Sequence, residues 1–309
     1  MIESLYNSVS RFVSEFFASL LSLVKAAIRA RHATRLSPSE RPICSVLGNG
    51  PSLNESLEKH FDFIKTTEVV CVNNFAHAEV FTRLQPQHYV ISDPNYFVFT
   101  EQTTDREDIR QTITIFRERV DWPMTLYVPH FAKGSYVIRQ IERPNSPIRV
   151  VYFNYTVVDG FRRLKYWLYA NGLGMPQSQT VIIAALALMI NRTFKTIYLF
   201  GADTSWHEQI RLNDQNQLLI KQIHFYDKPS DVRHEPVYAD AQRKRTFSMA
   251  SQFLSLHKAF RGYEHLRDYA DYRGVTILNA SAKSYIDAFD RVIPDPIQVS
   301  PGQAVIREK

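Results

Sequence analysis

ICSVLGNGPSLNESL, residues 43–57, decides the fold. A short apolar run stops at Gly48-Asn49-Gly50-Pro51-Ser52, and a polar stretch able to start a helix follows. This reads as strand, tight turn and helix. The unit recurs along the chain. ICSVLG (43–48), VVCVNN (69–74), HYVISD (88–93), MTLYVP (124–129), RVVYFN (149–154), TIYLFG (196–201) and VTILNAS (275–281) read as strands. SLEKHFDFI (56–64), HAEVFTRL (77–84), REDIRQTITIFRERV (106–120), TVIIAALALMINRTF (180–194) and residues 246–274, ending at Gly274, read as helices. FRRLKYWLY (161–169) reads as a helix packed on the sheet, and KSYIDAF (283–289) as a short last helix opened by Ser281. Strands alternating with helices predict an α/β, Rossmann-like fold: a mostly parallel sheet with helices on both faces.

Three segments depart from that pattern. Residues 1–36 carry apolar side chains at helical spacing, Ile2, Leu5, Val9, Phe12, Phe16, Leu20, Leu23 and Ala27, with Arg11, Lys25, Arg29, Arg31 and Arg35 alongside. This predicts an amphipathic helix. Its uncharged run, Phe16–Val24, is far short of the ~20 residues that cross a bilayer, and Glu3 and Glu15 do not suit a signal peptide. Such a helix either lies in a membrane interface or packs on protein, its own or a second subunit's. Residues 205–245 are polar, rich in His, Asp and Arg, and too long for a plain connection, which suggests a lid or acceptor-binding insertion. Residues 293–309 read as a tail. The catalytic domain is expected over 38–292.

The 309 residues suffice for one large domain, and 45% hydrophobic with 22% charged residues is ordinary for a globular protein. A net charge of +6 fits anionic substrates or lipid, and no zinc-finger, basic-zipper or RNA-binding motif points to nucleic acid. Cys44 and Cys71 sit in apolar runs and suggest buried thiols rather than a disulfide framework. No metal-ligand spacing stands out.

In open α/β sheets ligands bind outside the carboxyl ends of the strands. Five strand ends here carry small or polar residues: Gly48-Asn49-Gly50 with Ser52, Asn73-Asn74, Ser92-Asp93, Gly201-Ala202-Asp203 and Asn279-Ala280-Ser281. They predict one crevice. Gly48 and Gly50 are expected to allow φ > 0 and close approach to a ligand. The helix after them is expected to offer free N–H groups to a phosphate, and Asn49 an amide to a base, sugar or phosphate. The plainer reading is a strand-to-helix turn with Ser52 as N-cap. GNGPS is neither GxGxxG nor a Walker motif.

VLGNGPSL, VVCVNNF, HYVISDPNYF, the helix after GMPQSQ, and TIYLFGAD, in that order, resemble the bacterial sialyltransferases that cap lipo-oligosaccharide. The same elements are similar to the MptE-like group, which contains a hydroxymethylpterin diphosphokinase, and to the Maf flagellin glycosyltransferases. The resemblance spans roughly residues 43 to 290. It implies transfer of a CMP-activated acidic sugar to a surface glycan by direct displacement, without a metal, at the cytoplasmic face of the inner membrane. It implies that Asn49 and Asn73 hold the CMP phosphate and ribose, and that Ser178 and Gly201 line the cytidine site. It places a histidine base in the insertion: His224 first, then His234, then His207. Tyr226 becomes the hydroxyl that steadies the departing phosphate. Asp93 stands where those enzymes carry asparagine, and Thr204-Ser205-Trp206 where they carry tyrosine.

Two other functions stay open: a diphosphokinase using magnesium and ATP, with Asp93 and Asp203 as candidate carboxylates, and a nucleotide-binding membrane scaffold without turnover. Arg243-Lys244-Arg245 is read as a solvated face or a contact for an anionic acceptor glycan or a membrane. The expected partners are thus a nucleotide-sugar donor, a glycan or glycolipid acceptor and a membrane, with a second copy left open, but no nucleic acid.

Overall fold

The computed structural model describes residues 2–29, 35–228, 230–239 and 245–294. Arg31, Arg243, Lys244 and the tail beyond residue 294 lie outside the described residues. Strands run in chain order as β1 (Ile43–Leu47), β2 (Glu68–Val72), β3 (His88–Val90), β4 (Met124–Pro129), β5 (Ile148–Phe153), β6 (Thr196–Phe200), β7 (Ile210–Leu212), β8 (Leu218–Ile220), β9 (Glu235–Pro236), β10 (Thr276–Asn279) and β11 (Asp290–Arg291). The helices are α1 (Ile2–Arg29), α2 (Leu53–Thr66), α3 (Val80–Leu84), α4 (Asn95–Val98), α5 (Glu107–Glu118), α6 (Tyr136–Ile141), α7 (Arg162–Ala170), α8 (Val181–Asn191) and α9 (Met249–Arg273).

The main sheet has eight strands in the order β11-β10-β6-β1-β2-β3-β4-β5, and every pairing is parallel. The α/β fold read from the sequence is therefore the one observed. Successive strand residues face opposite layers. Val46, Val70 and Leu199 join one core with α7, α8 and α9, while Leu47, Val69 and Phe200 join the other with α2, α5 and α6. Residues 182–190 of α8 are all buried, which explains a helix apolar all round. Cys44 and Cys71 are free, buried thiols on opposite layers.

Two expectations fail. Residues 283–289 form no helix, because their polar groups are used elsewhere. Ser284 Oγ donates to the Ala202 carbonyl at 2.7 Å, Tyr285 N–H to the Asp203 carbonyl at 2.9 Å, and Asn279 Nδ2 to the Ile286 carbonyl at 3.2 Å. Ser281 caps nothing; its hydroxyl accepts the Ala202 N–H at 3.1 Å and ties β10 to the loop after β6. The strand at the edge is β11. Within the insertion 205–245, β7, β8 and β9 make a small antiparallel sheet.

The amphipathic helix is present as α1, which packs against α7. Among the described residues, no helix is long and apolar enough to cross a membrane.

Candidate functional site

The chain builds β1 to β5 outward on one side, then returns to lay β6 against the other side of β1. The carboxyl ends of β1 and β6 therefore flank the switch point, where α/β sheets open a crevice. A cleft of about 1220 Å³ lies there. Gly48, Asn49, Gly50, Ser52, Asn73, Asn74, Asp93, Gly201, Asp203, His224 and Tyr226 all line it. Ser178 does not. Its hydroxyl donates to the Thr180 carbonyl at 3.1 Å and its own carbonyl accepts from Tyr155, so it sits one layer behind those two lining residues.

The floor is two interlocked loops. Gly48 N–H donates to the Phe200 carbonyl and Gly50 N–H to the Gly201 carbonyl, both at 2.8 Å. A Cβ on Gly48 would lie 2.5 Å from Gly201 O, and one on Gly50 would lie 2.2 Å from Asp203 Oδ1. Only Gly201 of these has a left-handed backbone, φ 60°. The expectation for Gly48 and Gly50 is thus corrected: they are small because loop meets loop, and they need no positive φ. Ser52 stands at the N-cap position of α2, as expected, but its side chain makes no cap bond. Its Oγ donates to Asp203 Oδ1 at 2.6 Å and its N–H to Oδ2 at 3.2 Å. The positive end of α2 is thus met by a carboxylate, and the N–H groups of Leu53, Asn54 and Ser56 go to Gly50, Pro51 and Ser52 carbonyls. Of the N–H groups this turn was expected to offer a phosphate, those of Ser52, Leu53, Asn54 and Ser56 are taken within the protein. Burial pushes the Asp203 carboxyl above its ordinary range, against the opposing hydrogen bonds from Ser52.

Asn49 leaves one polar atom open. Its Nδ2 donates to the Val72 carbonyl at 3.1 Å, while Oδ1 is buried with no partner. Asn73 is left-handed, φ 44°, and its Oδ1 accepts the Ser92 N–H at 3.4 Å. Asn74 donates to Asp108 Oδ2 at 3.1 Å and accepts from the Tyr96 hydroxyl. Asp93 Oδ1 closes on Asn95 through two contacts of 2.9 Å. Its Oδ2 lies 3.8 Å from the Arg106 guanidinium, which grips Asp108 with two bonds of 2.8 Å. Arg106 holds the Asp108 carboxyl below its ordinary range, against burial. Arg106 and Asp108 were not singled out from the sequence. Residues at the start of a predicted helix carry no mark of facing a cleft; an acidic residue there, such as Asp108, is also what the helix dipole prefers.

The other wall comes from the insertion. Phe225 N–H donates to the Asn49 carbonyl at 3.0 Å, and the Phe225 carbonyl accepts from Asn54 at 2.8 Å. This ring packs on Phe75, centroids 5.0 Å apart, and anchors its neighbours. His224 Nδ1 lies 3.0 Å from Asp227 Oδ2, which also accepts the His224 N–H at 2.8 Å. A carboxylate there favours the proton on Nδ1 and leaves Nε2 as the basic atom. The His224 ring stacks on Tyr226, 5.1 Å between centroids. Tyr226 Oη is buried and has no hydrogen-bond partner. Burial, then the nearby Asp227, pushes the phenol far above its ordinary value, so it stays an O–H donor.

The reserve histidines lie off the cleft. His234 does not line it, and His207 packs on Tyr285 at 4.4 Å. Lys283 reaches the rim, where Glu208 takes it at 2.7 and 2.9 Å. No group of three or more His, Cys, Asp or Glu placed to hold a metal ion occurs among the described residues.

No protein-family model and no curated protein sequence matches the chain. Among solved structures it is similar to a Maf glycosyltransferase from Magnetospirillum magneticum AMB-1, with 13% identity and a TM-score of 0.48. The match covers 89% of this chain but 38% of that one, so the chain spans well under half the length of that protein.

Proposed function

We propose that the cleft binds a CMP-activated acidic sugar and transfers the sugar to a hydroxyl of a glycan. The observation that carries this is a pair of unspent polar atoms beside a histidine–carboxylate pair. Buried polar groups are nearly always hydrogen-bonded. Asn49 Oδ1 and Tyr226 Oη are not, and both residues line the cleft with His224. One is an acceptor for a ligand N–H or O–H, the other a donor for a ligand oxygen. His224 Nε2 takes the proton of the acceptor hydroxyl as the new C–O bond forms at the anomeric carbon. The bond from that carbon to phosphate breaks, and CMP leaves with both electrons. Tyr226 meets the charge developing on the phosphate. The cleft exceeds the ~300–1,000 Å³ usual for one small ligand, which suits a donor and an acceptor together.

One observation favours a second reading. Glu55, Asp93, Asp105, Asp108, Asp203, Glu208 and Glu235 line the cleft against Arg106, Lys221 and Lys283, seven carboxylates to three cations. A nucleotide phosphate enters such a lining more readily with a divalent cation, as in the diphosphokinase chemistry. Several of those carboxylates are already engaged by Arg106, Ser52 and Lys283.

Thermal unfolding with CMP, CDP, UDP, GDP, ADP and ATP, each with and without magnesium, separates the readings, because a ligand stabilises the state it binds. Stabilisation by CMP without magnesium supports the transferase. Stabilisation by ATP or ADP only with magnesium sinks it in favour of the diphosphokinase. Binding of CMP with no transfer from any CMP-sugar leaves a scaffold.

A further inference from the structure

We infer that α1 lies flat on an anionic lipid surface, through the half of its circumference that points away from the protein. A helix beside a folded domain ordinarily buries its apolar stripe against that domain. This one does the reverse. Its small and polar face makes the contact. Ser22 Oγ donates to the Asp159 carbonyl at 2.8 Å and accepts the Asp159 N–H at 2.9 Å. Ser19 Oγ accepts the Phe161 N–H at 2.8 Å, and Lys25 donates to the Val157 carbonyl at 3.2 Å. Gly160 permits the approach: a Cβ there would meet the Ser19 backbone nitrogen at 2.6 Å.

These bonds fix the rotation of the helix, so its apolar side has one direction to face. Phe16, Phe17, Leu20, Leu21, Val24 and Ile28 stand 48–70% exposed. The 28 residues of α1 extend about 42 Å at 1.5 Å per residue. A stripe of that kind costs free energy in water and gains it in the acyl boundary of a bilayer. Charge selects lipid over a second copy. The neighbouring α7 exposes Arg162, Arg163 and Trp167, and the chain carries a net charge of +6, whereas Arg29 of α1 is turned to the protein and donates to Thr156 Oγ1 at 3.2 Å. Two copies face to face would bring these cations together, whereas anionic headgroups complement them. The segment that holds α1 follows directly on Tyr155, which lines the cleft. Lipid binding is independent of the reaction proposed above, and either can fail alone.

The full chain is floated with vesicles of phosphatidylcholine, and of phosphatidylcholine mixed with phosphatidylglycerol. The mixed vesicles are expected to retain about tenfold more protein or better, since each basic group near the surface contributes about 1 kcal/mol. The double variant Phe16→Glu, Leu20→Glu should lose that binding at an unchanged unfolding midpoint, because these side chains stand out from the protein. Arg162→Glu with Arg163→Glu should weaken the preference for the anionic vesicles. Equal retention on both vesicle types, no retention on either, or a Phe16→Glu, Leu20→Glu variant that floats like the parent overturns the proposal. So does a dimer, seen by light scattering, that the same variant dissolves while the parent ignores vesicles.

Discussion

His88 and His224 each face a carboxylate, and their surroundings give them opposite work. His88 Nε2 meets Glu68 Oε2 at 2.5 Å, with side chains only 5% and 14% exposed. Ser39 donates to the other Glu68 oxygen at 3.2 Å, and Tyr127 lies 3.4 Å from His88 Nδ1. Every polar atom of that pair is turned inward, at the amino end of the sheet. His224 and Asp227 lie 3.0 Å apart at the cleft, 38% and 26% exposed, and Nε2 has no protein partner among the described residues. The same two functional groups make a staple where the protein closes around them and a candidate base where it leaves one nitrogen open. Pairing alone therefore does not mark a site; an unspent atom on a residue that lines the cleft does.

Removing each histidine should break this comparison in opposite directions. His224→Ala is expected to slow transfer by about 10²–10⁴-fold, the usual worth of a general base, while shifting stability by no more than about 0.5 kcal/mol. Transfer rate and urea unfolding check the two halves. His88→Ala should cost about 3–5 kcal/mol, because a buried carboxylate loses its partner, and leave nucleotide affinity unchanged by calorimetry. A His88 variant that lost turnover but kept stability would dissolve the distinction.

The pair at the cleft and the pair at the staple were unequally legible from sequence. His224 could be singled out because it sits in a polar insertion, where a histidine has few structural duties. His88 lies in a strand run, HYV, and its partner is twenty residues away; nothing local couples them. The strands were readable because parallel strands buried on both faces form dense apolar runs. The loops after them were readable only as a crevice. Gly48 and Gly50 looked like ligand-facing glycines, since a sequence cannot show that Gly201 and Asp203 press against them. Residues 283–289 looked helical because local spacing is blind to the bonds that Ala202 and Asp203 offer from a distant loop. Arg106 was hidden because its role depends on Asp93 and Asp108 converging in space. The small sheet of β7, β8 and β9 has strands too short for periodicity to mark.

Tyr226 sharpens the comparison from the ligand side. Its hydroxyl is buried and unpaired, so Tyr226→Phe removes a desolvated donor without breaking a bond. The variant should be as stable as the parent or up to about 1 kcal/mol more stable. Its turnover should nevertheless fall about 10²-fold, as for loss of one donor to developing charge. Unfolding and single-turnover rates on one preparation test both. Lower stability with full turnover would make the hydroxyl a structural group.

The smallest expected effect is the pH response of the staple. Burial pulls the His88 pKa below its ordinary value, against the opposing pull of Glu68. Burial lifts Glu68, but the hydrogen bond and charge of His88, the Ser39 hydroxyl and Arg192 outweigh it, and the net direction is down. Both groups hold protons less readily folded than unfolded, so the unfolded chain takes up protons first as pH falls and stability drops. The His88 contribution is complete above about pH 6.5 and fades below it, with Glu68 adding to the loss below about pH 4.3. One proton is worth at most about 1.4 kcal/mol per pH unit. His60, His77 and His265 are also pulled down by burial and contribute their own slope. The informative quantity is therefore a difference. Urea unfolding of the parent and of His88→Gln, from pH 7.5 down to 4.5, should give curves that converge on acidification, because the parent loses a term the variant never had. Parallel curves would show that His88 does not titrate in this range, and the closed pair would then be held by packing rather than by a proton.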